Sequence, residues 1–172
     1  MGKPDPDHPL VVVMGISGVG KSAVGHEVAD RLGLDYADGD DFHSAANIAK
    51  MSAGEALGDA DRWPWLDAIA RWLAEHEGTG GVISCSALKR SYRDVLRDGS
   101  ERTLFLHLVG NPDLILDRMS GRDHFMPESL LESQEQTLEE LHPDELGWVF
   151  DISPSPEEIV DDFVARAGLE SA

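Results

Sequence analysis

LVVVMGISGVGKSAVGHEVADRLG, residues 10–33, decides the fold. Leu10, Val11, Val12, Val13 and Met14 form an apolar, β-branched run with no polar break. That is the pattern of a strand covered on both faces. Gly15-Ile16-Ser17-Gly18-Val19-Gly20-Lys21-Ser22 follows and fits G-x-x-x-x-G-K-[ST] at every fixed position. Val24, Val28, Ala29 and Leu32 then recur at helical spacing until Gly33, a natural helix stop. Strand, glycine-rich loop and helix in this order make a phosphate cradle. The glycines let backbone N–H groups converge on phosphate oxygens without Cβ clashes, and the helix N-terminus adds partial positive charge. In such a cradle Lys21 reaches the β- and γ-phosphates, and the Ser22 hydroxyl ligates Mg²⁺. The nucleotide contacts predicted from the loop are Gly15, Ser17, Gly18, Val19, Gly20, Lys21, Ser22 and Ala23.

Outward from this unit, strands and helices alternate. The sequence predicts strands near 35–37, 81–85, 103–109 and 148–152. It predicts helices near 45–51, from Pro64 to about Gly78, over 89–97, from Pro112 to about Met119, and onward from Pro127. Ser155-Pro156-Glu157-Glu158 is a capping box that opens a last helix through Arg166. Alternation of this kind gives an α/β domain, a parallel sheet covered on both faces. The expected organisation is a leader over residues 1–9 and one domain over 10–172. An insert near 40–65 and a loop near 118–126 interrupt the regular pattern.

Composition narrows the roles. The formal net charge is -19. A nucleic-acid binder needs a basic face to neutralise phosphates, so that role is set aside. No apolar run approaches the roughly 20 residues of a membrane helix, and the polar N-terminus is not a signal peptide. The single cysteine, Cys85, fits a reducing cytoplasm. The seven histidines show no metal-ligand spacing. Four of the fourteen basic residues, Lys89, Arg90, Arg93 and Arg97, fall in one short helix, and in so acidic a chain they point to a held anion.

The cradle names the nucleotide but not the work. A switch GTPase would need N-K-x-D after the fourth strand, where this chain has Gly110-Asn111-Pro112-Asp113. A motor-type ATPase would end its third strand in an acid, where this chain has Ser84-Cys85-Ser86. The outer shell of Mg²⁺ must then come from elsewhere, and Asp38, at the end of the second strand, is the candidate. Ligands of open α/β sheets sit at the carboxyl ends of the strands. Asp38-Gly39-Asp40 lies there, beside the cradle. If the segment stays extended both carboxylates point one way: Asp38 toward Mg²⁺ through water, Asp40 toward an acceptor hydroxyl. His43 and Asn47 could bond further hydroxyls.

GISGVGKS (15–22), DGDDFH (38–43), NIAKMSAGEALGDADRWPWL (47–66) and CSALKRSYRDVLR (85–97) together resemble the gluconokinase family, the thermoresistant-type small P-loop kinases. The resemblance runs from Val11 to about Ile152, and residues 47–66 are its most specific part. It implies a nucleoside-kinase-like three-layer fold with a five-stranded parallel sheet and a mobile lid. It implies phosphorylation of D-gluconate at the 6-hydroxyl with ATP and Mg²⁺, and a homodimer. Asp40, His43, Arg62, Lys89 and Arg93 fall on its substrate side, and Arg118 and Arg122 match its lid arginines. Adenine is placed by the fold near the loop that holds Ser153 and Pro154. The chemistry agrees: a sugar acid needs a cation for its carboxylate, which Arg62 or the Lys89/Arg93 pair would supply. Arg118 and Arg122, flanking a polar loop, would neutralise charge on the transferring phosphoryl group. A shikimate-like or other small-metabolite kinase is the alternative. Shikimate kinases carry a triple glycine after the third strand, where Ser84-Cys85-Ser86 stands here. A nucleotide-dependent module without transfer activity would need neither the acid nor the anion pocket.

Overall fold

A computed structural model describes residues 3–120 and 128–169. Five parallel strands form one sheet in the order β2-β3-β1-β4-β5. They are β1 (Leu10–Met14), β2 (Tyr36–Asp38), β3 (Gly81–Ser84), β4 (Leu104–Val109) and β5 (Gly147–Asp151). Among the described residues seven α-helices fill the two outer layers: α1 (Lys21–Leu32), α2 (Ala45–Ser52), α3 (Asp59–Glu75), α4 (Arg90–Gly99), α5 (Pro112–Ser120), α6 (Glu128–Thr137) and α7 (Pro156–Ala167). This is the covered parallel sheet that the alternation predicts, and the P-loop nucleoside-kinase-like fold that the resemblance implies.

The unbroken apolar run of β1 is explained by its place. It is the central strand, paired with β3 on one side (Val11↔Val82) and β4 on the other (Val11↔Leu104), and all five of its residues are buried. From β1 the chain crosses to the edge strand β2 and returns to fill β3 between them. It then crosses back to add β4 and β5. The reversal opens a crevice at the carboxyl end of β1, where the cradle begins.

Local chemistry sets the helix ends. Gly33 closes α1 in the left-handed region (φ 66°) and donates its N–H to Ala29 O. The capping box at α7 is formed as the sequence predicts: Glu158 N–H donates to Ser155 Oγ (3.2 Å) and Ser155 N–H to Glu158 Oε1 (3.4 Å). One start differs from the expectation. Helix α3 begins at Asp59, five residues ahead of Pro64, which lies inside it. The Asp61 carboxylate accepts the Gly58 N–H at 2.9 Å and completes a capping turn upstream of the proline. That acid cap, rather than the proline, sets the boundary. Trp65, Leu66, Ile69 and Leu73 form the buried face of α3.

Candidate active site

The cradle leaves β1 and enters α1 with no slack. Gly18 has φ +85°, and a Cβ there would stand 2.8 Å from the Met119 side chain and 2.9 Å from Ile115. Only glycine lets α5 pack this close to the loop. Lys21 Nζ donates to the carbonyls of Gly15 and Ile16, each at 3.0 Å. Burial pushes the Lys21 pKa down, and the charges of Asp40 and, less strongly, Asp38 partly offset that push. From the other side of the crevice, Gln134 on α6 reaches the loop. Its Oε1 accepts the Ser17 N–H at 2.7 Å.

The acidic stretch does not stay extended, contrary to the sequence reading. After Asp38 the chain turns into a short 3₁₀ segment, Gly39–Phe42. Asp38 Oδ1 caps that turn by accepting the Asp40 N–H at 2.9 Å. The two carboxylates are therefore divided by the turn rather than aligned by pleating. Asp38 sits opposite Ser84 in the sheet register, and Ser84 Oγ lies 3.4 Å from its Oδ1. Tyr36 OH pairs with Ser84 Oγ at 2.8 Å, and the Ser22 side chain lies close enough to act on the Tyr36 hydroxyl. The Asp38 carboxylate and the hydroxyls of Tyr36 and Ser84 thus form one continuous oxygen cluster, with Ser22 of the cradle beside it.

Asp40 faces the cleft, which it lines together with Ser17, Lys21, His43, Arg62, Trp65 and Gln134. Two contacts hold the turn that carries it. A Cβ on Gly39 would lie 2.2 Å from Ser84 O, so only glycine allows the ends of β2 and β3 to approach here. Trp65 Nε1 then donates to Gly39 O at 2.7 Å. The same indole stacks on His43, with ring centroids 4.1 Å apart and planes at 14°. The helical spacing of Trp63, Trp65 and Trp72 reads as core or dimer contact. Trp65 is buried, yet it also forms a wall of the cleft.

His43 is held neutral. Burial, with Arg62 nearby, brings its pKa down to about 4. The Asn47 Nδ2 amide lies 3.2 Å from His43 Nδ1 and donates also to Asp61 O at 2.9 Å. Because that amide is a donor, Nδ1 accepts, and the ring proton sits on Nε2. Asn47 is buried behind His43. The expectation that Asn47 meets the substrate directly is therefore corrected: it orients His43.

The predicted cations separate. Arg62 lines the cleft and donates from Nη1 to Tyr92 OH at 2.8 Å. Tyr92 OH in turn bonds Asp59, which pairs with Lys89 Nζ at 3.0 Å. Lys89 thus stands behind Arg62, outside the lining of the cleft. Arg93 is corrected outright. Its side chain is fully buried and bonds Glu145 through Nε (2.8 Å) and Nη2 (3.2 Å), and the carbonyls of Ala87, Leu88 and Glu140. Arg97 Nη1 joins the same carboxylate at 2.7 Å. The anion held by the basic helix is the protein's own Glu145, whose pKa these partners bring down to about 2.

On the nucleotide side, Arg118 Nη2 donates to Ile152 O at 3.0 Å, which ties α5 to the loop of Ser153 and Pro154. Both loop residues are exposed. Arg122 and most of the expected lid lie outside the described residues. A larger groove of about 610 Å³ runs between Lys3–Pro6 and the Arg97–Arg102 corner, remote from the cradle. Its lining is mostly charged surface. The cleft residues that the sequence reading missed include Trp65, Gln134, Ser133 and Leu88.

A phosphate cradle facing a carboxylate and an arginine across one crevice defines a small P-loop kinase. The family described as Shikimate kinase matches residues 17–152. A gluconokinase of Gluconobacter oxydans (strain 621H) is 48% identical over 139 residues, 79% of this chain and 78% of that one. The thermoresistant gluconokinase of Escherichia coli (strain K12) is 44% identical over 142 residues, 81% of each. The crystal structure of a gluconokinase from Sinorhizobium meliloti 1021 superposes with a TM-score of 0.86 at 43% identity, covering 92% of this chain and 91% of that one. The chain belongs to the shikimate-kinase family and, within it, to the gluconokinases.

Proposed function

We propose that this enzyme transfers the γ-phosphoryl group of ATP to the 6-hydroxyl of D-gluconate, giving 6-phospho-D-gluconate and ADP. One observation carries the reading. Lys21, Asp40, His43 and Arg62 line one cleft in a chain 48% identical to a gluconokinase.

The roles follow from the chemistry of each group. Backbone amides of Gly15, Ser17, Gly18, Val19 and Gly20, with Lys21, Ser22 and Ala23, hold the phosphates. Adenine lies toward Ser153 and Pro154. Arg118, already at that loop, meets charge on the nucleotide side. Asp40 accepts the proton of the 6-hydroxyl as it attacks. His43, neutral and protonated on Nε2, donates to a hydroxyl of the chain. Arg62 takes the carboxylate, and the Tyr92–Asp59–Lys89 series behind it fixes its guanidinium. Residues 40–65 thus act as the acceptor-binding insert of a single kinase domain.

Magnesium suits the cluster at Ser22 and Asp38. Its donors are all hard oxygens, one carboxylate among hydroxyls, which is what Mg²⁺ selects. Ser22 and Asp38 would hold it. When bound, it supplies charge neutralisation at the β- and γ-phosphates. The proposed setting is a cytoplasmic homodimer. The family resemblance supports the dimer, and the unpaired, buried Cys85 suits a reducing compartment.

The test is ADP release with gluconate, shikimate, related sugar acids and nucleoside monophosphates as acceptors, with ³¹P NMR of the product. Turnover confined to gluconate, with the phosphate on the terminal carbon, is the expected result. Turnover with shikimate instead, or with none of the acceptors, ends the reading.

A further inference from the structure

The bond from Ser17 to Gln134 joins two parts of the site that a kinase must coordinate. Ser17 N–H belongs to the phosphate cradle, and its partner comes from a helix 117 residues later in sequence. Gln134 and its neighbour Ser133 also line the cleft beside Asp40, His43 and Arg62. The carboxamide therefore stands between a phosphate donor and the acceptor's hydroxyls.

We propose that Gln134 couples the two substrates. Its Oε1 occupies the Ser17 amide until the terminal phosphate takes that donor, and the released carboxamide then bonds hydroxyls of the acceptor. The second half rests on the reading that the acceptor is a polyhydroxylated acid.

The energetics favour the exchange. The Ser17–Gln134 bond is neutral on both sides. A phosphate oxygen on the same N–H makes a charge-assisted bond, roughly twice as strong. Lys21 changes partners in the same sense, leaving the carbonyls of Gly15 and Ile16 for phosphate. A carboxamide has both donor and acceptor, so it can bond a hydroxyl in either direction. While its oxygen is held by Ser17, that acceptor is unavailable to a sugar. Helix α6 is also well anchored for the task. Just past its end, Glu139 N–H donates to Leu88 O at 2.7 Å, and Glu139 Oε1 accepts the Arg90 N–H at 3.0 Å. The side chain can swing while the helix stays against α4.

The experiment is calorimetric titration of the full chain with gluconate and a non-hydrolysable Mg²⁺–ATP analogue, each alone and in the presence of the other. In the wild type the analogue lowers the gluconate Kd about three- to tenfold, the worth of one hydrogen bond. By linkage, gluconate tightens the analogue by the same factor. Gln134→Ala removes the competitor, so the analogue alone binds at least as tightly as to wild type, and the coupling factor falls to about one. Gln134→Glu sets a carboxylate against the phosphate and weakens the analogue about tenfold, the order expected of opposed charges in a partly buried site. Thermal melts of both variants within a few degrees of wild type establish that they are folded. A folded Gln134→Ala variant with the wild-type coupling factor overturns the proposal. If the wild type binds the analogue but not gluconate, the substrate reading fails. The exchange at Ser17 is then still decided by Gln134→Glu, and unchanged analogue affinity in that variant sinks it.

Discussion

Lys21 and Asp40 line the same cleft, and the Asp40 carboxylate is the largest charge offsetting the burial of the Lys21 ammonium. The two groups therefore act on one another through their charges. Asp40→Asn keeps the shape of the turn and removes the charge. We expect kcat to fall by about 10²- to 10⁴-fold, the usual worth of a general base, with nucleotide Kd changed far less. Loss of the carboxylate also lowers the Lys21 pKa further, because burial then acts with less opposition. Rapid-quench turnover and nucleotide titration measure the two effects. Wild-type turnover in Asp40→Asn would remove the acid from the reaction.

Asp40 is aimed by its neighbours, so those neighbours should matter to rate. Trp65→Phe keeps an aromatic ring against His43 and deletes the indole N–H that holds Gly39 O. Loss of that one hydrogen bond costs about 0.5–1.5 kcal/mol. The expected outcome is a lower kcat with a modest drop in Tm. Gly39→Ala is harsher, since its Cβ would meet Ser84 O at 2.2 Å, a backbone atom that cannot step aside. That variant should lose activity through displacement of the turn, visible as a changed near-ultraviolet spectrum. Full activity in Gly39→Ala would show that the turn has slack that the close approach denies.

How much of this was legible beforehand depends on where each partner lies along the chain. The cradle from Gly15 to Ser22 and the Ser155–Glu158 capping box are local, so residue order alone discloses them. The three-layer architecture follows from strand and helix periods, which are also local. Most of the errors are long-range. Arg93 reads as a ligand-binding cation because its counter-ion, Glu145, stands 52 residues later with nothing nearby to announce it. Gln134 has no motif, and only the folded sheet brings it to Ser17. Trp65 shows its burial by helical spacing, but its hydrogen bond to Gly39 O depends on how α3 crosses the end of β2. Pro64 misplaces the start of α3 because the acid cap one turn upstream has the greater influence. The two-carboxylate reading names Asp38 and Asp40, which the fold sets at the end of β2 and on the cleft respectively. Extended pleating is the wrong geometry for them, because aspartate and glycine favour a turn and the Asp38 side chain closes one.

Acid sensitivity should come first from a histidine in the sheet. His107, on β4, is 1% exposed, and neither ring nitrogen has a hydrogen-bond partner among the described residues. Burial, reinforced by Arg93 and opposed by Glu145, brings its pKa from 6.5 down to about 4. Above pH 6.5 both folded and unfolded forms are neutral there, so stability is flat. Between pH 6.5 and 4 the unfolded chain takes up the proton first, and stability falls as pH falls. The drop from this one residue is on the order of 3 kcal/mol. The Glu145 carboxylate, at about 2 when folded, contributes in the opposite range, losing its stabilisation only below about 4.5. Chemical denaturation from pH 7 to 4 should therefore show a slope that His107→Leu reduces. An unchanged slope in that variant would assign the acid sensitivity elsewhere.

Arg62 and Arg93 give the sharpest contrast, because both are arginines in the family-like segments and only one meets the cleft. Arg93 and Glu145 are a buried, hydrogen-bonded pair with side chains 0% exposed. Removing one partner strands the other, at a cost of about 3–5 kcal/mol. Arg93→Ala should thus lower Tm steeply, and whatever remains folded should keep a near-normal gluconate KM. Arg62 is held by one tyrosine hydroxyl and borders the substrate space, so Arg62→Ala should change Tm little. Losing a charge-assisted pair with a carboxylate is worth about 1.5–3 kcal/mol, which raises gluconate KM by roughly 10- to 150-fold. Arg62→Lys keeps the charge but not the two-pronged donor and should recover only part of the loss. Steady-state kinetics beside thermal melts on the three variants separate the roles. A raised KM in folded Arg93→Ala together with a normal KM in Arg62→Ala would reverse the assignment and return the basic helix to the substrate.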